Sequence, residues 1–441
     1  MGDILHMKGH MNAHRKALRN CALAGILLFA PRLAPQPAGT PRDAGRQKWI
    51  ATWAASPQPT APDADEPLLN IEDQTVRERM RVSIGGARIC LRLSNEYGAT
   101  PLLIGSATVA VPSDPASVRP GTTQAVTFAG HHSVTIPAGA PVLSDPVEFP
   151  VTYGAEISIS LYFPKRVATP TLHALALRRA VVSRQGDHTR EEKIEGGTAT
   201  ESLIAVSAVL VPAERSQQLV VALGDSVTDG DRSTVDADRN WPGDLIRRLA
   251  KTPGGSRVAV VNEGILGNRL LSDCFLANVG CFGVSALARF DRDVVALPGV
   301  THVVLLEGLN DIGFPGARLG GSYLADPADA RTPEELIDAY RQLISRAHAQ
   351  GIKLIGATIS PCEGVIIPGY YSESKEATRQ TVNKWIRSSG SFDGVIDFDA
   401  VLRDPEHPSR LLPRFASKDG LHPNDAGYEA MANAIDIGLF R

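Results

Sequence analysis

The stretch Leu219-Val-Val-Ala-Leu-Gly-Asp-Ser-Val-Thr-Asp-Gly230 places a hydroxyl where a reaction could begin. Its unbroken apolar run reads as a strand buried on both faces, stopping at Gly224-Asp225-Ser226. Open α/β sheets gather reacting groups beyond the carboxyl ends of their strands, so Ser226 is a candidate nucleophile. A serine hydroxyl attacks poorly until a base takes its proton. His422 is the candidate base, because neutral imidazole accepts a proton near neutral pH. Asp419 lies three residues earlier, in Asp419-Gly-Leu-His422-Pro423. On a tight turn those two side chains can meet. The carboxylate can then hold the imidazole's other N–H, fix the tautomer and stabilise the imidazolium. A tetrahedral intermediate also needs donors aimed at its oxyanion, and the backbone N–H of Ser226 is one. Two further strand ends complete the set: Val260-Val-Asn-Glu-Gly-Ile-Leu-Gly267 finishes in glycines, and Val303-Val-Leu-Leu-Glu-Gly-Leu-Asn310-Asp311 in an amide.

Each block has an ordinary reading when taken alone. Ser226 could cap a helix, Gly224 and Gly267 could serve turns, Asn310 could cap one, and His422 could lie on the surface. Together, in this order and at strand ends, they point to acyl transfer. Asp225 reads as support for the loop, Asp229 and Asp311 as turn formers, and His131, His132 and His407 as surface residues. No Gly-x-Ser-x-Gly elbow is present, which with the three-residue Asp–His spacing argues against an ordinary α/β-hydrolase.

The elements that must position these groups follow from periodicity. Beyond Pro212, apolar strands at 219–223, 257–261, 301–306, 352–359 and 395–398 alternate with amphipathic stretches at Trp241–Lys251, Ser285–Leu297, Pro333–Gln350, Glu373–Ser388 and Asn424–Ile437. That alternation predicts right-handed crossovers and a flavodoxin-like three-layer α/β/α domain over 217–441. Thr332-Pro-Glu-Glu335 predicts a helix start with a capping box. Residues 46–215 show little helical periodicity. Arg81 to Ser94 alternates around Gly85-Gly86 and reads as a hairpin. Ala107–Val111, Ala125–Phe128, Ser133–Ile136 and Ala155–Phe163 read as further strands. The expectation is an antiparallel, jelly-roll-like β-sandwich. Its role is read as bracing the second domain, with carbohydrate binding as the alternative.

The 441 residues carry a net charge of −3, which gives no footing for a nucleic-acid partner. No apolar run reaches the ~18 residues of a membrane span. His14-Arg15-Lys16 and Arg19, the apolar run Cys21–Ala30 and the Pro/Ala-rich stretch after it read as a signal peptide over residues 1–38, hence a secreted or periplasmic protein. Cys274 and Cys281 bracket a short loop, a spacing that suits a local disulfide in an exported protein, with two free thiols as the alternative. Cys90 reads as a buried thiol. No zinc-binding pattern occurs, and no cofactor is expected.

The Ser226, glycine, Asn310 and Asp419-x-x-His422 blocks resemble the SGNH (GDSL-type) hydrolase superfamily over residues 217–441. The resemblance gives Asp419 and His422 the triad roles described above. It adds two oxyanion donors, the Asn310 side chain and the glycine ending Asn-x-x-x-x-Gly, which counted from Asn262 is Gly267. Trp53-Ala-Ala-Ser-Pro-Gln58, Ser285 to Asp293, Leu306 to Gly313 and Val395 to Asp399 look like a two-domain secreted bacterial branch similar to xylan-cluster arylesterases. The Cys-bracketed insert at 274–281 departs from that pattern. The resemblance implies a serine esterase acting on small-molecule or polysaccharide esters, with short acetyl esters of carbohydrate the expected substrates. A lysophospholipase or thioesterase, or a non-catalytic carbohydrate-binding protein, are the alternatives.

Overall fold

The computed structural model describes residues 47–60, 67–273, 275–276 and 280–440. The expected signal peptide and the Cys274–Cys281 pairing lie outside them. Residues 47–441 form one compact unit.

Between Trp49 and Pro212 the strands are antiparallel. One sheet runs in the order Trp49–Ala54, Val206–Pro212, Cys90–Ser94, Pro141–Leu143. A second runs Thr198–Thr200, Ala180–Gln185, Gln74–Arg81, Glu156–Phe163, Ser106–Ala110, Gln124–Ala125. The expected hairpin from Arg81 to Ser94 does not form. Gln74–Arg81 pairs with Glu156–Phe163 and Ala180–Gln185, whereas Cys90–Ser94 pairs with Val206–Pro212 and Pro141–Leu143. A two-residue I′ turn needs positive φ at both central residues, and neither Gly85 nor Gly86 has it. These glycines instead let the chain pass close against Val151 and Val211. A Cβ on Gly85 would sit 2.6 Å from the Val151 carbonyl oxygen, and one on Gly86 2.7 Å from Val211. Alternation thus identified strands but not their partners.

From Gln218 onward the main sheet is parallel. Five strands lie in the order Val258–Gly264, Gln218–Gly224, Val300–Leu306, Lys353–Ala357, Gly394–Ile396, that is, 2-1-3-4-5. This is the flavodoxin-like order. The helices are α1 (Ser226–Asp229), α2 (Trp241–Ala250), α3 (Ala286–Phe290), α4 (Leu309–Gly313), α5 (Pro333–Ala349), α6 (Glu373–Ser388), α7 (Phe398–Leu402) and α8 (Asp425–Ala434). Contacts link α2, α7 and α8 in one group and α3, α5 and α6 in another. The predicted capping box is present: Thr332 caps α5 and Glu335 returns to the Thr332 backbone. One-turn helices α1, α4 and α7 escaped the periodicity reading because a single turn has no repeat.

Strand Trp49–Ala54, the first among the described residues, packs against the edge strand Val258–Gly264. The Ser83 hydroxyl accepts from the Val260 N–H at 3.1 Å, occupying a donor that a sheet edge would otherwise leave open. This contact and the ones around Ser226 tie the antiparallel region to the parallel sheet.

Candidate active site

Strand Gln218–Gly224 delivers Ser226 directly into α1. Asp225 is the N-cap, its side chain accepting from the Val227 N–H at 2.9 Å. Ser226 is therefore the first helical residue, and its own N–H has no partner within the helix. The turn is crowded. A Cβ on Gly224 would lie 2.2 Å from the Thr228 hydroxyl, and one on Gly264 2.2 Å from the Asp229 backbone nitrogen. Both glycines let α1 sit against the strand ends, so Gly264 serves packing. Asp225 is buried, which pushes its carboxyl up to about 7.

His422 arrives from a turn ahead of α8. Its Nε2 lies 2.8 Å from Ser226 Oγ and its Nδ1 2.8 Å from Asp419 Oδ2. All three residues are buried. Asp419 Oδ1 accepts from the N–H groups of Leu421 at 2.9 Å and His422 at 3.0 Å, and from the Ser417 hydroxyl at 2.6 Å. Burial would raise this carboxyl, but the His422 hydrogen bond and charge and the Ser417 hydroxyl outweigh it and hold it well below the usual range. An ionised Asp419 facing Nδ1 leaves Nε2 free to accept from Ser226. Ser226, His422 and Asp419, expected from the sequence to meet, lie together in the structure.

Gly267 has φ +69°, and a Cβ there would meet the Phe282 ring at 2.6 Å. Its N–H has no backbone partner among the described residues. Asn310 sits in α4, whose N-cap Gly308 has φ +105°. Its Nδ2 donates to the Asn268 carbonyl at 2.9 Å, and its Oδ1 accepts from the Tyr370 hydroxyl at 2.8 Å. One Nδ2 hydrogen remains. Asn310 is thus held beside the Gly267-Asn268 segment, with its amide orientation fixed at both ends.

Asp229 and Asp311 are not the turn formers expected. Asp311 is fully buried and accepts from Leu270 N–H at 2.6 Å and Leu271 N–H at 2.9 Å, pinning the chain just after Gly267. Asp229 accepts from Leu266 N–H at 3.0 Å and faces His173 Nε2 at 3.2 Å. Burial raises both carboxyls above their ordinary value. Turn propensity could not distinguish these buried acceptors from surface turns, because their partners come from other strand ends. Asp225 does support its loop, and His131, His132 and His407 are exposed.

The sequence reading missed Arg289, on α3. It is fully buried and donates to the Gly224 carbonyl at 2.9 Å, the Asn268 side chain at 2.9 Å, the Glu263 carbonyl at 2.7 Å and the Ser56 hydroxyl at 2.9 Å. One guanidinium thereby joins the strand before Ser226 to the residue after Gly267. Asp293 lies 3.1 Å away on the same helical face and carries the balancing charge. Burial would raise Asp293, but Arg292 and Arg289 hold it low. Burial drives the neighbouring Glu263 and Glu307 carboxyls well upward. An Arg and an Asp four residues apart, within the apolar pattern of 285–297, were the available signal. Tyr370 left no signal beyond being aromatic in a loop.

Residues 222–430 match the model of the GDSL-like Lipase/Acylhydrolase family. Among solved structures, the chain is similar to a GDSL-like lipase from Bacteroides thetaiotaomicron VPI-5482, at 20% identity over 52% of this chain and 90% of that one, with a TM-score of 0.37. It is similar to an acetylxylan esterase from Geobacillus stearothermophilus, at 20% identity over 50% and 92%, TM-score 0.37. A third is the aryl esterase of M. smegmatis, at 15% identity over 49% and 95%, TM-score 0.37. No curated protein matches. Residues 222–430 therefore carry a GDSL-like lipase/acylhydrolase domain, and the protein is an ester-hydrolysing enzyme.

Proposed function

We propose that this enzyme is an exported serine esterase that removes short acyl groups, acetyl above all, from carbohydrate esters. The observation that carries the reading is the continuous hydrogen-bonded relay from Ser226 Oγ through His422 to Asp419, each link 2.8 Å. In the reaction, Ser226 Oγ bonds to the ester carbonyl carbon while its proton passes to His422 Nε2. Asp419 stabilises the imidazolium. The N–H groups of Ser226 and Gly267 and the free Nδ2 hydrogen of Asn310 receive the oxyanion. The imidazolium then protonates the departing alkoxide as the C–O bond breaks. Water attacks the acyl-serine by the same route, releasing the acid and restoring Ser226.

The short-acyl preference is supported by what crowds the oxyanion donors. The Phe282 ring stands against Gly267, Phe314 packs on Phe282 at 6.1 Å between centroids, and Tyr370 packs on Phe314 at 5.9 Å. Polar Asp225, Thr228 and Asp229 border Ser226. A long chain would need a continuous apolar wall, gaining about 0.8 kcal/mol per buried CH₂. The same rings are the one feature that favours the second reading, a lysophospholipase or thioesterase, should they line an open groove.

The antiparallel region is read as a β-sandwich over 46–215 that braces the domain over 217–441. Arg178, Arg81 and Arg79 pair with Asp238 and Asp236, whose φ values are +49° and +65°, in the loop that leads from α1 to α2. The region thereby holds a backbone that would otherwise relax. Export is supported by the basic and apolar pattern at residues 14–30.

The test is a panel of aryl esters of increasing acyl length, run beside acetylated xylan, on wild type and Ser226→Ala. Ser226→Ala is expected to lose several orders of magnitude in kcat while keeping its thermal transition. Full activity in that variant refutes the serine mechanism. A kcat/KM that climbs steadily from acetyl to decanoyl refutes the short-acyl preference. N-terminal sequencing of exported protein tests the signal peptide.

A further inference from the structure

His422 Nδ1 faces two carboxylates. Asp419 Oδ2 is 2.8 Å away and Asp231 Oδ2 is 3.5 Å away. Asp231 is no loose surface group. Its N–H donates to the Ser226 carbonyl at 3.0 Å, so its backbone is fixed to the residue that carries the nucleophile. Its own carbonyl accepts from the Tyr428 hydroxyl at 2.7 Å. Its Oδ1 accepts from the Arg232 N–H at 2.8 Å, which turns Oδ2 towards the imidazole. Two carboxylates so close would repel, but Arg232 lies between them. Its Nε is 3.0 Å from Asp419 Oδ2 and 3.7 Å from Asp231 Oδ2. Arg232 holds φ +69°, a conformation that a non-glycine residue keeps only when its surroundings enforce it.

We propose that Asp231 is a second orienting carboxylate for His422, poised to take the Nδ1 proton's hydrogen bond when Asp419 cannot. This rests on the reading of Ser226, His422 and Asp419 as the reacting set. The 0.7 Å between 3.5 Å and 2.8 Å is within reach of a side-chain rotation about a fixed backbone. Arg232 follows, because the same guanidinium contacts both acids. Asp231 touches no substrate; it is a positioning residue. The pattern after the serine, Ser226-Val-Thr-Asp-Gly-Asp231, puts this acid five residues on, just past the one-turn helix α1, which folds the chain back towards the histidine.

The experiment compares Asp419→Ala, Asp231→Ala and the double variant, reading kcat/KM on an aryl acetate and the downfield proton resonance of His422 Nδ1–H. Loss of the orienting acid in a serine triad costs about 10⁴. With Asp231 in reserve, Asp419→Ala is expected to lose only about 10- to 100-fold and to retain a downfield resonance. Asp231→Ala should lose a few-fold. The double variant should fall by about 10⁴, more than the product of the single losses, and lose the resonance. A full loss of about 10⁴ in Asp419→Ala alone, or a double variant equal to the product of the singles, overturns the proposal. Asp231→Asn keeps the turn at 419–422 intact and tests the point without disturbing it: an unmoved resonance and unchanged kcat/KM also overturn it. Ser226→Ala measured alongside separates the two claims, since its retained activity would refute the triad itself and its inactivity leaves the Asp231 result to stand alone.

Discussion

Tyr370→Phe removes a single oxygen and isolates how Asn310 is aimed. The Tyr370 hydroxyl is buried, and burial raises its pKa well above the ordinary value, so it stays a donor. It donates to Asn310 Oδ1 at 2.8 Å, while Nδ2 on the other side donates to the Asn268 carbonyl at 2.9 Å. Without the hydroxyl the Asn310 carbonyl is buried and unpaired, at a cost of about 1–3 kcal/mol. The amide cannot recover by flipping, because that would set Oδ1 against the Asn268 carbonyl, acceptor on acceptor. It can only pivot about its one remaining bond, which moves the free Nδ2 hydrogen off the position proposed for the oxyanion. A transmitted loss of about 1–2 kcal/mol predicts a roughly 5- to 30-fold fall in kcat. The ceiling is Asn310→Ala, at about 10²–10³. KM should change little, since the donor acts in the transition state. The assay is steady-state hydrolysis of an aryl acetate by the two single variants and their double. In the Asn310→Ala background, Tyr370→Phe should be silent. If it costs the same factor there as in wild type, Tyr370 does not act through Asn310 and the reasoning fails.

Gly267→Ala must place a Cβ 2.6 Å from the Phe282 ring at φ +69°, so kcat should fall by about 10-fold or more, and Phe282→Ala should restore part of it; wild-type rates would reduce Gly267 to a tolerant turn residue. Arg178→Ala should lower unfolding free energy by about 1–3 kcal/mol in denaturant titrations, because Asp238 and Glu156 lose their most buried cation and keep only Arg81 and Arg79; no measurable loss would refute the bracing reading. Glu78 is pushed up to about 8 by burial, with its Oε2 unpartnered. A raised folded pKa means that the folded state holds a proton the unfolded chain releases. Its stabilising share is full below about 4.5 and is lost as pH rises towards 8, by at most about 1.4 kcal/mol per pH unit. Glu78→Gln should flatten that decline in denaturation measured from pH 4.5 to 8, and an unchanged slope would show that Glu78 does not titrate there.

The sequence by itself determined the groups whose chemistry is fixed locally. The Asp419–His422 pair was legible because three residues on one turn suffice to bring carboxylate to imidazole. Ser226 was legible because an apolar run ending in Gly-Asp-Ser fixes where a strand stops. The five parallel strands and the longer helices were legible because burial writes a period of 3.6 or a continuous apolar run into the chain. The tertiary structure alone decided what depends on distant partners. The Gly85-Gly86 alternation could not show that its two strands enter different sheets, since pairing is a property of the partner strands. Asp229 and Asp311 looked like turn residues because the N–H groups they accept from, at Leu266, Leu270 and Leu271, lie beyond other strands. Nothing in the local sequence around Arg289, Tyr370 or Asp231 says what each side chain reaches. Their hydrogen bonds and ion pairs at the site exist only once the strand ends converge. Local spacing fixes which groups are presented at the strand ends; convergence of separate strand ends fixes how they are held.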